Sequence, residues 1–457
     1  MQEQGKPIAA LATPPGKGGI AVIRVSGAGA IDHVAKLFAG KVNLTQQPSH
    51  TIHYGKIKDN ARVVDEVLVS IMRAPHTFTG EDTAEINCHG SGAAVREILA
   101  LLLDGGVQLA GRGEFTKRAF LNGRMDLSQA EAVMDVVQAE SGSALQAAVN
   151  QLEGKLSSVL RQQRETLLHE YATIQAEADF PEEGLSGIDE DIMLMKLQTV
   201  RSALKQLKDS AKTGRLVKQG IQTVLCGAPN AGKSSLLNAL VGENRAIVTE
   251  IPGTTRDCIE EYVELEGCTL RLLDTAGIRE TEDRVEQIGV DRAKASMEQA
   301  DLILFVADCS RPPSADDRAI CSGIVDKPVI LVLNKQDVTQ GCEEAYKALL
   351  PHVPFVAVSA KEQYGMEALS GAICSMFQMG AVQDGQQALI TNLRHVEAVQ
   401  RALTALDEAI HTMEIGMPVD MVFVDLQDAI SALGEVTGET VQDEVVDRIF
   451  SEFCVGK

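Results

Sequence analysis

The chain has 457 residues, of which 45% are hydrophobic and 23% charged. At about 100–200 residues per domain this is material for several packed cores, which excludes a disordered or fibrous chain. Acidic residues outnumber basic ones by 64 to 42, giving a formal net charge of -22. A surface of that sign is poorly suited to coating nucleic acid, and with no Trp and 4% aromatics there is little from which to build a base-stacking platform.

Residues 1–122 mix short apolar strand-like runs (IAVIRVSG, EVLVSIMRA, TAEINCHG) with Gly- and Pro-rich turns and a helical stretch at 92–103, which predicts an α+β domain. From 123 to 215 the pattern turns helical. Leu127, Ala130, Val133, Met134 and Val137 share one face, and Leu145, Ala148, Leu152, Leu156 and Val159 continue the period. The acidic, Gly- and Pro-containing segment 179–192 reads as a loop, followed by a further helix to about 213. Residues 216–380 alternate buried strands (IQTVLCG, TLRLLDTAG, LILFVAD, PVILVLNK, FVAVSA) with helices, the pattern of a doubly wound α/β domain. Helical periodicity returns in 381–457, over 388–413 and 418–457. The expected fold class is therefore α/β and α multidomain: a helical domain, 123–215 and 381–457, interrupted by an inserted α/β domain. Two separate helical modules are the alternative.

The nine cysteines (Cys88, Cys226, Cys258, Cys268, Cys309, Cys321, Cys342, Cys374, Cys454) are odd in number, scattered and free of CxxC spacing. They read as reduced thiols of a cytoplasmic protein. The N-terminal run has no long apolar core and no stretch approaches 18 apolar residues, so neither a signal peptide nor a membrane span is expected.

Four motifs, each placed after a strand, carry the chemistry. GAPNAGKSS matches the phosphate-binding pattern GxxxxGK[ST] through Gly227, Gly232, Lys233 and Ser234, between an apolar strand and the helix SLLNALVG. Its backbone N–H groups can cradle phosphates, Lys233 can neutralise β- and γ-oxygens, and the Ser234 hydroxyl can ligate Mg2+. Asn230, Ala231 and Ser235 complete the loop. DTAG supplies Asp274, Thr275, Ala276 and Gly277, with the Asp placed for Mg2+ through water and the Gly amide for the γ-phosphate. NKQD supplies Asn334 and Lys335 to frame a base and Asp337 to accept from guanine N1–H and the 2-amino group. Adenine offers neither donor, so the pattern selects GTP. SAK (Ser359, Ala360, Lys361) offers backbone to the guanine carbonyl. Thr254 and Thr255, in the loop AIVTEIPGTTRD, stand as switch threonines. Ile278 follows DTAG where Ras-like enzymes carry a water-orienting Gln, and no arginine finger is evident.

In PNAGKSS, GTTRD and DTAG the chain resembles the Era-like GTPases. In ATPPGKGGIAVIRVSG, FTGEDTAEINCHG, GEFTKRAFLNGRMDLSQAEAVMDVV and the terminal FCVGK it is similar, over essentially its whole length, to the MnmE (TrmE) family of tRNA uridine modification GTPases. The resemblance implies an N-terminal domain, 1–122, that dimerises and binds 5-formyl-tetrahydrofolate or a related tetrahydrofolate through Arg24, Glu81, Arg124 and Lys457. Arg124 stands where some relatives have Lys. It implies a P-loop GTPase domain, 216–380, inserted in the helical one, with K+ held by Asn230, Thr249, Ile251 and Thr254 in the part of the absent finger. Glu250, Pro252 and Gly253 lie in the same loop, and Thr255 joins Ser234 on Mg2+. Glu286 would orient the attacking water through a second water. The implied partners are a second copy of the chain, the flavoprotein MnmG in a heterotetramer, and tRNA, whose wobble uridine receives an aminomethyl-type group at carbon 5. Cys454, in the tail, is a candidate for chemistry near the folate.

Two other classes compete. An Era-like ribosome-assembly GTPase would carry a basic RNA-binding tail with a GXXG loop. Residues 383–457 hold 14 Asp plus Glu against 4 Lys plus Arg and lack GXXG. The third reading is a folate-dependent one-carbon transferase with an accessory nucleotide switch.

Overall fold

The computed structural model describes residues 5–179, 189–243, 261–265, 268–273, 297–324, 327–338, 341–377 and 388–456. They fall into two compact units, one of residues 1–134 with 430–457 and one of residues 135–429.

The first unit is built on a seven-stranded sheet in the order β3-β4-β5-β6-β2-β1-β7. The strands are β1 (Ile8–Leu11), β2 (Gly18–Ser26), β3 (Phe38–Gly40), β4 (Thr51–Asp59), β5 (Arg62–Met72), β6 (Thr83–Gly90) and β7 (Gln108–Leu109). Strict alternation places Val67, Val69 and Ile71 of β5, Ala84 and Ile86 of β6 and Ile23 and Val25 of β2 on one face. There they pack against Ile31 and Val34 of α1 (Ala30–Leu37) and Ile98 and Leu102 of α2 (Gly92–Asp104). Each such fully buried aliphatic side chain is worth about 1.5–3 kcal/mol. On the opposite face Phe115, from α3 (Glu114–Leu121), joins Ile8, Ala10, Ala110 and Phe78 in a second small core.

The C-terminal residues return to this unit. The helix Asp443–Ser451 turns Val446 and Phe450 inward, and with Phe453 they meet Leu127, Ala130 and Met134. The tail beyond it bridges back: Val455 pairs with Arg112, and the Gly113 amide donates to the Cys454 carbonyl at 3.3 Å. Gly456 sits at φ +95. A Cβ there would lie 2.2 Å from the Leu11 carbonyl oxygen, so only glycine lets the tail lie this close to the end of β1.

The helices in 123–215 are α4 (Leu127–Gln138), α5 (Gly142–Leu152), α6 (Lys155–Asp179) and α7 (Glu190–Gln219). The expected stripe holds at Leu127, Ala130, Met134, Ala148 and Leu156, which are buried, and fails at Val137 and Leu145, which are exposed. Those two flank the junction where Ser141 caps α5 by accepting from Ala144 N. Each miss falls at a helix end next to that junction, Val137 in the last turn of α4 and Leu145 in the first turn of α5, while the residues nearer the middle of each helix keep the stripe. The last helix of this group runs to Gln219, past the expected 213.

In the second unit α7 buries Met193, Leu197, Val200 and Leu204, while the helix Leu393–Glu414 buries Ala398, Ala402, Leu406 and Ala409. The two are joined by an Arg201–Asp407 ion pair and a Gln198–Glu414 hydrogen bond of 3.4 Å. The backbone N–H of Ile390 donates to Ser210 Oγ of α7 at 3.3 Å, so the chain comes back beside the helix it left. Between departure and return lies a six-stranded sheet, order β13-β12-β11-β8-β10-β9. Its strands are β8 (Ile221–Cys226), β9 (Glu261–Leu265), β10 (Cys268–Leu272), β11 (Leu302–Asp308), β12 (Val329–Asn334) and β13 (Phe355–Ala357). All neighbours are parallel except β9 against β10. In such a sheet ligands bind beyond the carboxyl ends of the strands. Among the described residues no helix is long and apolar enough to cross a membrane.

Candidate functional site

The loop after β8 leads directly into α8 (Lys233–Glu243), so the first-turn amides of that helix and its dipole face the same space as the loop. Gly232 has φ +95, and a Cβ on it would stand 2.2 Å from Asn334 Nδ2. The glycine is thus required by the packing of this loop on the end of β12, as well as by backbone approach to a phosphate. Lys233 Nζ donates to the carbonyls of Gly227 at 2.8 Å and Ala228 at 2.9 Å, and burial pulls its pKa below the ordinary lysine value. Asn230, at φ +62, and the hydroxyl-bearing Ser234 and Ser235 face solvent, while Ala231 is buried. Ser234 is a hard oxygen donor on the first turn of α8, the kind Mg2+ takes.

The base end is built around Asn334. It is 2% exposed. Its Nδ2 donates to the Ala231 carbonyl at 3.0 Å and its Oδ1 accepts from the Ala360 amide at 3.1 Å. The residue expected to frame the base is therefore a brace tying the phosphate loop to the loop after β13. The Ala360 amide, expected to face a guanine carbonyl, is engaged by the same side chain. Lys335, at φ +66, pairs through Nζ with Asp308 Oδ2 at 2.7 Å. Asp308 ends β11 and also accepts from the Ser310 amide at 3.0 Å and hydroxyl at 2.6 Å. Asp337 is exposed, and its Oδ1 accepts from Ser359 Oγ at 2.7 Å. That hydroxyl is the main reason its pKa lies below the usual carboxylate value. Ser359 is fixed in turn by reciprocal backbone bonds with Tyr364, at 3.0 and 3.1 Å. Lys361 is exposed beside Glu362. Thr249, Glu250, Ile251, Pro252, Gly253, Thr254, Thr255, Asp274, Thr275, Ala276, Gly277 and Glu286 lie outside the described residues, as does Lys457.

In the first unit Arg24 and Ser26, two residues apart on β2, point to the face opposite the main core. Arg24 Nε donates to Glu85 Oε1 at 2.8 Å across the strands, with its guanidinium 5.6 Å from the Phe78 ring and 5.7 Å from that of Phe115. Glu81 accepts from Ser26 Oγ at 3.0 Å and from Arg118 Nη1 at 3.3 Å. Arg118 also holds Glu114 at 2.9 Å. The result is a half-buried strip of alternating charge, with the Arg24 guanidinium over two aromatic rings. Arg124 is exposed, and its backbone N–H donates to the Ala119 carbonyl at 2.9 Å. Cys454 is exposed on the docked tail.

Comparison with known proteins decides the family. The profile of the MnmE helical domain matches residues 127–454, and that of the GTP-binding protein TrmE N-terminus matches residues 7–124. The tRNA modification GTPase MnmE of Listeria welshimeri is 45% identical over 452 residues, covering 98% of this chain and 99% of that one. That of Bacillus cytotoxicus is 46% identical over 454 residues, with the same shares. This chain belongs to the MnmE family. As an MnmE-family GTPase it carries three residues that its motifs alone did not bring forward. Asp308 was legible only as the last residue of an apolar strand, and Arg118 and Ser26 only as members of longer runs, GEFTKRAFLNGRMD and GKGGIAVIRVSG. No spacing rule links Arg118 to Glu81, 37 positions away, or Asp308 to Lys335, 27 positions away.

Proposed function

We propose that this chain is a GTP hydrolase whose nucleotide cycle drives modification of carbon 5 of the tRNA wobble uridine, using a tetrahydrofolate one-carbon unit and acting with the flavoprotein MnmG. The observation that carries the nucleotide half is the Asn334 brace, which holds the phosphate loop and the base-reading loop as one rigid cradle. A preformed cradle lowers the ordering cost of binding. On this reading Lys233 exchanges its two loop carbonyls for phosphate oxygens, and Asp337, kept ionised by Ser359, accepts from guanine. Ser234 and Thr255 hold Mg2+. Asn230, Thr249, Ile251 and Thr254 hold K+, which supplies positive charge where the γ-phosphate develops negative charge. Glu286 positions water. These hydroxyl, amide and carbonyl donors suit hard cations.

The same proposal assigns the folate to Arg24, Glu81, Arg124 and Lys457. Glu81 is set by Arg118 and Ser26 to accept from a pterin edge, and the tail seated by Gly456 holds Cys454 in the same unit. Residues 1–122 form the folate and dimerisation domain, 123–215 and 381–457 the helical domain, and 216–380 the inserted GTPase domain. The acidic 383–457 region fits a cytoplasmic enzyme that leaves much of the tRNA contact to its partner in the heterotetramer. The test is mass analysis of wobble uridines in cells lacking this protein. Loss of the carbon-5 group is expected. Intact uridine modification with defective ribosomal subunits would favour the Era-like alternative.

A further inference from the structure

The second unit holds a thiol pair that the nucleotide chemistry does not use. Cys268 is the first residue of β10 and is buried, at 3% exposed. Cys374 lies in the last turn of the helix Met366–Met376 and is half-buried. The two Sγ atoms are 2.9 Å apart, 106 positions apart in sequence. A disulfide bond is about 2.05 Å long, so closing the bond moves the sulfurs by less than about 1 Å. Both elements are already fixed. Cys268, Leu270 and Leu272 of β10 and Leu369 and Ile373 of the helix belong to one buried core, against which Cys374 packs.

We propose that Cys268 and Cys374 form a redox modification site, a dithiol that a peroxide converts to an intramolecular disulfide. Cys374 is the entry point, because solvent reaches it and Cys268 is shielded. The Cys374 thiolate attacks one peroxide oxygen and the O–O bond breaks. Cys374 becomes a sulfenic acid, and the departing oxygen takes the thiol proton and leaves as water. The Cys268 sulfur then attacks the Cys374 sulfur. The S–O bond breaks, and the sulfenic oxygen takes the Cys268 proton and leaves as a second water. Two thiols and one peroxide thus give one disulfide and two waters, with two electrons passing from the sulfurs to the peroxide. A low-molecular-weight thiol reverses it by exchange, as expected of a transient disulfide in a reducing compartment. The hydrogen bond to Cys374 and burial both push the Cys268 thiol well above its ordinary pKa, so it serves as the resolving group and not as the first attacker.

The bridge would fasten the helix Met366–Met376 to β10, which is paired in parallel register with β8 through Leu270 and Ile221. It would therefore join the helix that follows the base-reading loop to the strand beside the one that delivers the phosphate loop.

The experiment uses the full wild-type chain, so no variant has to fold for the proposal to be judged. The protein is treated with hydrogen peroxide, remaining thiols are alkylated under denaturing conditions, and the digest is analysed without reduction. The expected result is a cross-linked peptide joining Cys268 to Cys374, about 2 Da lighter than the sum of the two thiol peptides and abolished by dithiothreitol. In Cys374→Ser the cross-link disappears and Cys268 is recovered alkylated. Full alkylation of both cysteines after peroxide, Cys374 ending as sulfinic or sulfonic acid, or Cys374 joined to Cys454 instead would each overturn the proposal.

Discussion

Replacing Asn334 by Ala removes both ends of the brace between the phosphate loop and the base-reading loop. The Ala231 carbonyl loses its donor at 3.0 Å and the Ala360 amide its acceptor at 3.1 Å. Asn334, Ala231 and Ala360 are all buried, at 2%, 0% and 7% exposed. A buried polar group left unpaired costs about 1–3 kcal/mol, so the two together cost about 2–6 kcal/mol. Water entering from the nucleotide side recovers part of this, leaving about 2–4 kcal/mol against the binding-competent arrangement. That corresponds to a roughly 30- to 1,000-fold loss in GTP affinity. Titration with a fluorescent guanine nucleotide reads it directly. Asn334→Asp sharpens the test, because the shape is kept and one oxygen still accepts from Ala360. The other oxygen would face the Ala231 carbonyl, acceptor against acceptor, so affinity should fall at least as far as in the Ala variant. Gly232→Ala, whose Cβ would stand 2.2 Å from Asn334 Nδ2, should be non-additive with Asn334→Ala. Affinity within about threefold of wild type for either Asn334 variant would refute the brace.

Four further outcomes are expected. Asp337 has its pKa depressed chiefly by the Ser359 hydroxyl, so it stays ionised as pH falls until its lowered folded value is reached. In Ser359→Ala that pKa rises toward the ordinary carboxylate value, and the acid limb of guanine-nucleotide affinity should move to higher pH; an unmoved limb would separate Ser359 from base reading. GTP turnover should rise steeply when sodium is replaced by potassium, and equal rates would remove the K+ assignment. Glu286→Ala should abolish hydrolysis while sparing GTP binding, measured by single-turnover release of phosphate; undiminished turnover would take Glu286 out of the mechanism. Arg118→Met strips Glu81 of its cationic partner at 3.3 Å. A hydrogen bond to a charged group is worth about 1.5–3 kcal/mol, so tetrahydrofolate affinity should drop by roughly 10- to 100-fold in calorimetry. An unchanged affinity would show that Glu81 is not held for the folate by Arg118.

Much of the architecture was legible because its signals are local. The long strands β2, β5 and β6 of the first sheet, five of the six strands of the second, the helix 92–103 and the placement of the phosphate loop, NKQD and SAK at strand ends follow from periodicity and from the turn chemistry of Gly, Asn and Pro, whereas β1, β3, β4, β7 and β9 were not picked out. The helical stripe was legible in the middle of each helix and not at the ends that flank the cap at Ser141. Val137 and Leu145 were assigned inward by their spacing, but they lie in the last turn of α4 and the first turn of α5, where periodicity does not say whether a packing partner is still present. The candidate sites divide in the same way. The phosphate-loop lysine and Asp337 announce themselves by motif, since their chemistry depends on residue type at fixed spacing. The roles of their neighbours do not. Asn334 and Ala360 were picked out for the base, and the bond that joins them was not legible, because a buried side-chain amide satisfies its donor and its acceptor wherever the fold supplies partners.

By itself the sequence determined the fold class, the order of the nucleotide motifs, the preference for guanine and the family, since all of these reside in residue types at short or fixed separations. The tertiary structure alone decided which distant groups meet. It set Arg118 on Glu81, Lys335 on Asp308, the glycine of the C-terminal tail against Leu11, and the sulfur of Cys374 beside that of Cys268. The physical reason is the same in each case. Contacts across tens to hundreds of positions are fixed by how sheets and helices pack, and no period or motif along the chain encodes that distance.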